Sequence, residues 1–433
     1  MKFIYLRGKI SLKISVNELK RLKSNFLALS FLQATNYLLP LITLPYLIQV
    51  LGIEYFGLLA FATAVIAYFA ILTDYGFNLT ATKEISLHRE DKNKIIEIYS
   101  SVMSIKFILL IISFLILCTL VFTFQRLAEH WEIYLLTFGS VLGQVLFPIW
   151  VFQGMEKMKY ITYLNIVSKL IFTIAIFVFV QQQSDVYLVP LFFSLGSIIA
   201  GLLSLYLIKQ DFNIKFQLQK QETLKFYLID GWHVFLSRFY VSLYTTTNVL
   251  LLGLFTNNLA VGYYSIIERI VLAIGGMFQP LNQTIYPYLV KKQKECFTTF
   301  VQFLKKISII FLLTSSFFIL LAEYFVDELV LLIHGEHNLQ ISFLLSIFLL
   351  RIFVLPFGAL LSNSLIIMQR KKEFIRVMNY TVLSDLLIVP LSIYYFQETG
   401  LVISFLIIIL IHTLFLWYYV NNAIQALRIE NGL

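Results

Sequence analysis

From Val102 to Phe124 the chain reads VMSIKFILLIISFLILCTLVFTF, with Lys106 as its one charge. About 20 mostly apolar residues are what a helix needs to cross a bilayer, so this stretch is expected to be a transmembrane helix. Working outward from it, eleven more such runs appear, giving twelve: 25–50, 56–80, 102–124, 133–152, 161–180, 186–208, 232–255, 261–286, 307–325, 341–368, 380–396 and 401–420. The first holds Pro40 and Pro45, which predict a kink. The break between the last two rests on Gln397, Glu398 and Gly400. The 433 residues are 59% hydrophobic and 13% charged, against roughly 25% charged in soluble domains. That excludes a disordered chain, a disulfide scaffold and an ordinary cytosolic enzyme. Cys118 and Cys296 fall at different predicted levels of the membrane, so no disulfide between them is expected, and no metal spacing is present.

The basic residues sort by side. With the N-terminus placed in the cytoplasm, 27 of the 33 Lys and Arg lie in the termini and in alternate connections on that side. One, Arg126, lies in an opposite connection, and five (Lys106, Lys169, Arg238, Arg269, Arg351) lie in or near spans. This asymmetry is the positive-inside pattern. It accounts for the net charge of +9 without nucleic acid and predicts both termini in the cytoplasm. Residues 1–24 are expected to be a basic arm, a mobile tail or a short interfacial helix. They lack the long apolar core and cleavage site of a signal peptide.

The expected organisation is a basic arm (1–24), a six-helix lobe (25–208), a cytoplasmic connection (209–226), a second six-helix lobe (227–420) and a short tail (421–433). An offset of 205 residues superposes Gly57 on Gly262 and brings Asp74–Asn78 onto Gln279–Gln283. Two like-oriented halves suggest a parallel repeat with a site between them.

Ionisable groups inside a bilayer are costly and usually face a partner or a wet cavity. Arg351 is about ten residues into its span, hence about 15 Å deep, where snorkelling is difficult. Arg269 lies deep in the eighth span beside Glu268. As chain neighbours the two point to different faces and need separate partners. Arg238 sits near the inner end of the seventh span, where it lines a cavity or snorkels to headgroups. Asp385 enters the eleventh span, with Arg351 as a candidate partner. His412, in the twelfth, is a proton relay or a packed, hydrogen-bonded histidine. Three deep arginines suit an anionic headgroup, because a guanidinium forks onto phosphate. The flanking runs Tyr244–Asn248 (YTTTN) and Asn282–Tyr286 (NQTIY) suit a sugar, or serve as interhelical hydrogen-bonding glue. Asp327, Glu328, His334, Glu336 and His337 read as a solvated outer loop. No Walker loop is present, so ATP hydrolysis by this chain is not expected.

Several stretches resemble bacterial polysaccharide flippases of the Wzx type, which move O-antigen and capsule repeat units. Phe31–Gly52 (FLQATNYLLPLITLPYLIQVLG) is similar to their first span. Glu54–Ala62 (EYFGLLAFA), Asp74–Ser86 (DYGFNLTATKEIS), Leu243–Asn248 (LYTTTN), Val261–Tyr264 (VGYY), Pro280–Pro287 and Arg351–Gly358 (RIFVLPFG) match as well. The resemblance covers essentially the whole chain. It departs at Gln49, where the family often has Arg.

The resemblance implies an all-α integral membrane protein of the MOP superfamily, with two six-helix bundles forming a V around a lumen. It implies a multi-pass protein of the bacterial inner membrane and an undecaprenyl-diphosphate-linked oligosaccharide as substrate. It implies transport by alternating access coupled to H+ or Na+, with no cofactor, and a polysaccharide polymerase and chain-length regulator as candidate partners. On this reading Arg351, Arg269, Arg238, Asn248, Tyr244 and Gln283 contact the diphosphate or sugar. Asp74, Glu268, Asp385 and His412 serve ion coupling or gating. A multidrug antiporter of the same superfamily would need acidic cavity residues in the first half, which holds little beyond Asp74. A polymerase or ligase would need a large outer loop, and 326–340 is short for one.

Overall fold

The computed structural model describes Tyr37 and residues 39–430, apart from the side chains of Tyr244, Thr245, Lys294 and Glu430. The basic arm, the first span through Asn36 and the last three residues lie outside the described residues. Every regular element described is a helix. Twelve long segments are labelled α1 (Leu39–Leu51), α2 (Ile53–Leu87), α3 (Lys92–Thr123), α4 (Trp131–Gly154), α5 (Met158–Phe179) and α6 (Gln183–Asp211). They continue as α7 (221–255), α8 (Asn258–Gln293), α9 (Phe297–Tyr324), α10 (Leu339–Ile367), α11 (371–396) and α12 (398–430).

Among the described residues nine helices are long and apolar enough to cross a membrane unaided. The difference from twelve has three sources. Only part of the first span is described. The seventh, α7, carries Lys225, Asp230 and Arg238 and breaks at Thr246. The last helix runs from Lys371 to Glu430 but folds at Gln397, whose φ of 51° and ψ of −134° leave the helical region. That is where Gln397, Glu398 and Gly400 predicted a break. The segment expected as an outer loop is partly helical, Val326–His334, with Gly335 in a left-handed C-cap. The connection expected over 209–226 narrows to 212–220, because helix extends to Asp211 and resumes at Gln221.

Side-chain to backbone bonds gather the connections at two ends. At one, Arg126 Nη1 donates to Thr256 O at 2.6 Å, Gln183 Nε2 to Leu51 O at 3.1 Å and Gln49 Nε2 to Leu332 O at 3.3 Å. This is called the Gly52 end. At the other, the Arg89 guanidinium reaches Glu156 at 3.1 Å and Gly154 O at 3.0 Å. There Tyr160 donates to Asp211 at 2.6 Å, and Tyr227 to Glu97 at 3.2 Å. Arg89, Lys94, Lys157 and Lys215 lie at this second, basic end, as the alternation of charge predicts.

Burial separates central helices from peripheral ones. In α8 and α2, 67% and 61% of the apolar window is buried; in α5 and α9 the figures are 17% and 22%. The outer helices present residues such as Ile111, Leu115, Leu313 and Leu320 outward, as lipid-facing helices do. The two central helices touch backbone to backbone. A Cβ built on Gly57 would fall 1.8 Å from Asn258 O, and one on Gly262 would fall 2.4 Å from Ile53 O. Small residues permit this approach where any side chain would hold the helices apart. These are the residues that the 205-residue offset superposes.

Both central helices also break partway. In α2, Tyr75 and Gly76 take left-handed φ values of 48° and 78°. In α8 the break is at Met277 and Phe278, before Pro280. The offset maps one break to within three residues of the other. The α2 break docks on α7: Tyr75 stacks on Phe235 at 4.9 Å, and a Cβ on Gly76 would meet Val234 at 2.6 Å.

Candidate functional site

The breaks and the close α2–α8 contact place the intramembrane charges. Arg351 opens the second segment of α10, Arg351–Ile367. Its Nη1 lies 3.7 Å from Glu268 Oε1, and its guanidinium sits 5.2 Å and 4.8 Å from the ring centres of Phe348 and Phe405. Glu268 also accepts from the Tyr264 hydroxyl at 3.2 Å. This corrects the expected Arg351–Asp385 pair. Glu268, one helix away, takes the arginine, and the aromatic faces complete its cage.

Arg269 points elsewhere. Its guanidinium lies 4.7 Å from the ring centre of Phe56 on α2. It borders a cavity of about 240 Å³ whose other polar lining is Thr43, Thr63 and Thr137 of the first half. Those three hydroxyls donate to carbonyls of their own helices, Pro40, Leu59 and Ile133, at 3.1, 2.8 and 2.6 Å. Among the described residues no carboxylate lies within ion-pair distance of Arg269. The expectation that Glu268 and Arg269 need separate partners holds: one faces its own half, the other enters the opposite half.

Asp385 is fully buried, and neither carboxylate oxygen has a hydrogen-bond partner. It lies within electrostatic reach of Tyr68 and Tyr264. Tyr68 in turn bonds Thr247 across the two halves. Asn248, next in α7, is buried with its Oδ1 unpartnered. One turn before Asp385, Thr381 bonds His412 Nδ1 at 2.7 Å, the packed arrangement weighed for that histidine. Asp74, at the α2 break, lies 3.9 Å from Lys106 Nζ, and Lys106 is 2% exposed. Arg238 is exposed on α7, near enough to Asp74 to act on it electrostatically. Tyr244 lies on α7 with its side chain outside the described residues.

Gln283 belongs to a second cavity of about 560 Å³ between Tyr37, α8 and α10, with Gln279, Asn282, Tyr286 and Asn363 also lining it. The candidate residues therefore occupy several places, not one. Sequence reasoning missed Lys106, whose signal was its being the one charge in 102–124. It also missed Tyr37 and Asn363, which long-range packing brings to the second cavity.

Comparison with known proteins identifies the chain. Residues 22–293 match the family model described as polysaccharide biosynthesis protein. Over 413 residues the chain is 32% identical to the putative O-antigen transporter of Escherichia coli (strain K12), covering 93% of this chain and 97% of that protein. Among solved structures it resembles an inward-facing multidrug resistance MATE family transporter of the MOP superfamily. That match has a TM-score of 0.73 and 14% identity and covers 90% of this chain and 95% of that one. It also resembles the lipid II flippase MurJ in an inward closed conformation, with a TM-score of 0.67 and 13% identity, covering 95% and 89%. At these identities the two structures establish the fold, an all-α membrane transporter fold of the MOP type. The family model and the near full-length relative together establish that this chain belongs to the polysaccharide biosynthesis protein family.

Proposed function

We propose that the protein translocates polyprenyl-diphosphate-linked oligosaccharide repeat units across the bacterial inner membrane for assembly of a surface polysaccharide. The observation that carries this reading is Arg269, a guanidinium with no carboxylate within ion-pair distance among the described residues, in a cavity otherwise walled by the opposite half, while its neighbour Glu268 turns to Arg351. A cation so placed is satisfied by an anionic ligand, and diphosphate supplies paired oxygens in the geometry a guanidinium binds. The relative's printed name, an O-antigen transporter, agrees with such a substrate. Undecaprenyl is the carrier the resemblance implies.

The two six-helix halves, 25–208 and 227–420, rock about the α2–α8 contact, with the arm, the connection 209–226 and the tail at the cytoplasmic end. With the basic end cytoplasmic, the Gly57–Gly262 contact closes the outer side, so the headgroup enters from the cytoplasm. Asp385 couples transport to an ion. A buried carboxylate with no partner is stable only when a proton or cation neutralises it. A polysaccharide polymerase and a chain-length regulator receive the product.

The test is transport in proteoliposomes. A fluorescent polyprenyl diphosphate oligosaccharide is placed in one leaflet, and its protection from an impermeant quencher is followed with and without imposed H+ or Na+ gradients. Protein-dependent loss of protection, accelerated by one gradient, supports the reading. No movement by folded protein under any gradient rejects it.

A further inference from the structure

The cavity of about 560 Å³ differs in chemistry from the pocket of Arg269. Its polar lining is four carboxamides, Gln279, Asn282, Gln283 and Asn363, and two phenols, Tyr37 and Tyr286, and among the described residues no acidic or basic side chain borders it. Asn282, Gln283 and Asn363 make no side-chain hydrogen bond among the described residues. Gly276 presents bare backbone there: a Cβ on it would fall 2.2 Å from the Tyr37 ring. The volume is in the range of small-molecule sites, which pair apolar walls with a few convergent polar groups.

We infer that this cavity is a subsite for uncharged sugar residues of the headgroup, neutral hexoses and N-acetylhexosamines, and that it rejects acidic sugars. The inference rests on the flippase reading above. Carboxamides donate and accept together, which matches hydroxyl and acetamido groups. The phenol rings offer apolar faces to the C–H faces of a pyranose and a polar tip to its hydroxyls. A uronic acid carboxylate would lose water there and meet no cation among the described residues. Along the chain Tyr37, which lines this cavity, comes shortly before Pro40 and Thr43, which line the pocket that Arg269 enters. The charged part of the ligand and its sugars thus have separate seats.

The experiment measures binding to the purified full chain in lipid nanodiscs by three probes. These are a prenyl diphosphate without sugar, the same lipid carrying a neutral oligosaccharide, and the same lipid with one sugar oxidised to a uronic acid. The neutral glycolipid should bind about tenfold tighter than the bare lipid and the acidic one, the size expected when buried polar groups find or lose their partners. Asn282→Ala with Asn363→Ala should erase that advantage and leave the bare lipid unchanged. If the double variant folds poorly, Gln283→Ala alone should reduce the advantage by about threefold, a fraction of a lost hydrogen bond. Equal binding of bare, neutral and acidic lipids, or an advantage untouched by both variants, overturns the sugar subsite while leaving the flippase reading in place. No binding of any of the three to folded protein overturns the flippase reading itself.

Discussion

Glu268 and Arg269 are neighbours in the chain that serve opposite halves of the molecule. The carboxylate lies 3.7 Å from Arg351 within the second half, and the guanidinium lies 4.7 Å from the centre of Phe56 in the first. Successive residues on a helix are about 100° apart, so one turn of α8 can hold an internal ion pair and still present a cation across the interface. The pair locks the rotation of α8, and that rotation aims Arg269.

Removing one member of the pair strands the other. Glu268→Gln should lower stability by about 3 kcal/mol, the scale for an ion buried without its partner. Arg351→Met combined with Glu268→Gln should recover much of that loss. Thermal unfolding in detergent checks this. Equal stability of the parent and both variants would mean that the pair does not hold α8.

The glycine contact makes a steric prediction. At Gly57 a Cβ would collide with backbone, not with a flexible side-chain tip. Gly57→Ala should force α2 and α8 apart at the Gly52 end and cost about 1–3 kcal/mol of the closed arrangement. A pair of cysteines engineered at Ile53 and Asn258 reads the separation: cross-linking should be efficient in the parent and slower with Gly57→Ala. Unchanged cross-linking would place the contact elsewhere in the working protein.

The pair of buried Lys106 and half-buried Asp74 has a similar logic. Lys106→Met leaves Asp74 uncompensated beside the α2 break and should destabilise by about 3 kcal/mol. Asp74→Asn added to it should restore stability. The same melting experiment decides, and a Lys106→Met protein as stable as the parent would show that Asp74 reaches solvent or Arg238 instead.

Asp385→Asn should leave expression and melting at the parent level or higher, because it removes a buried carboxylate whose oxygens have no hydrogen-bond partner. Transport should then lose its response to an imposed ion gradient while gradient-free exchange survives. A fully gradient-dependent Asp385→Asn protein would move the coupling role to another residue.

Much of this architecture is legible in the residues, for identifiable reasons. A run such as Val102–Phe124 is written in apolarity alone, and the alternation of lysines and arginines sorts the connections without any knowledge of packing. The break at Gln397 is legible because Gln397, Glu398 and Gly400 interrupt an apolar run. Even the separate destinations of Glu268 and Arg269 follow from adjacency on a helix. What sequence does not carry is helix rotation and lateral placement. Depth along a span makes Asp385 a candidate partner for Arg351, and only the packing of α8 against α10 brings Glu268 there instead. The amide cavity joins Tyr37, Gln283 and Asn363 from three helices, which no local pattern foretells. Thr247, read as part of a polar run, bonds Tyr68 of the other half, a relation set by tertiary contact.

In the proposed transport cycle Arg269 receives the diphosphate of the lipid carrier. The most direct test compares the parent, Arg269→Lys and Arg269→Ala in the proteoliposome assay at matched incorporation. Losing a charge-assisted contact of about 3 kcal/mol corresponds to a rate lower by roughly a hundredfold. Arg269→Ala should fall by about that much, and Arg269→Lys should fall less, because a point charge persists without the guanidinium fork. Arg269→Ala moving the glycolipid at the parent rate, in protein that melts normally, would exclude Arg269 as the diphosphate's ligand.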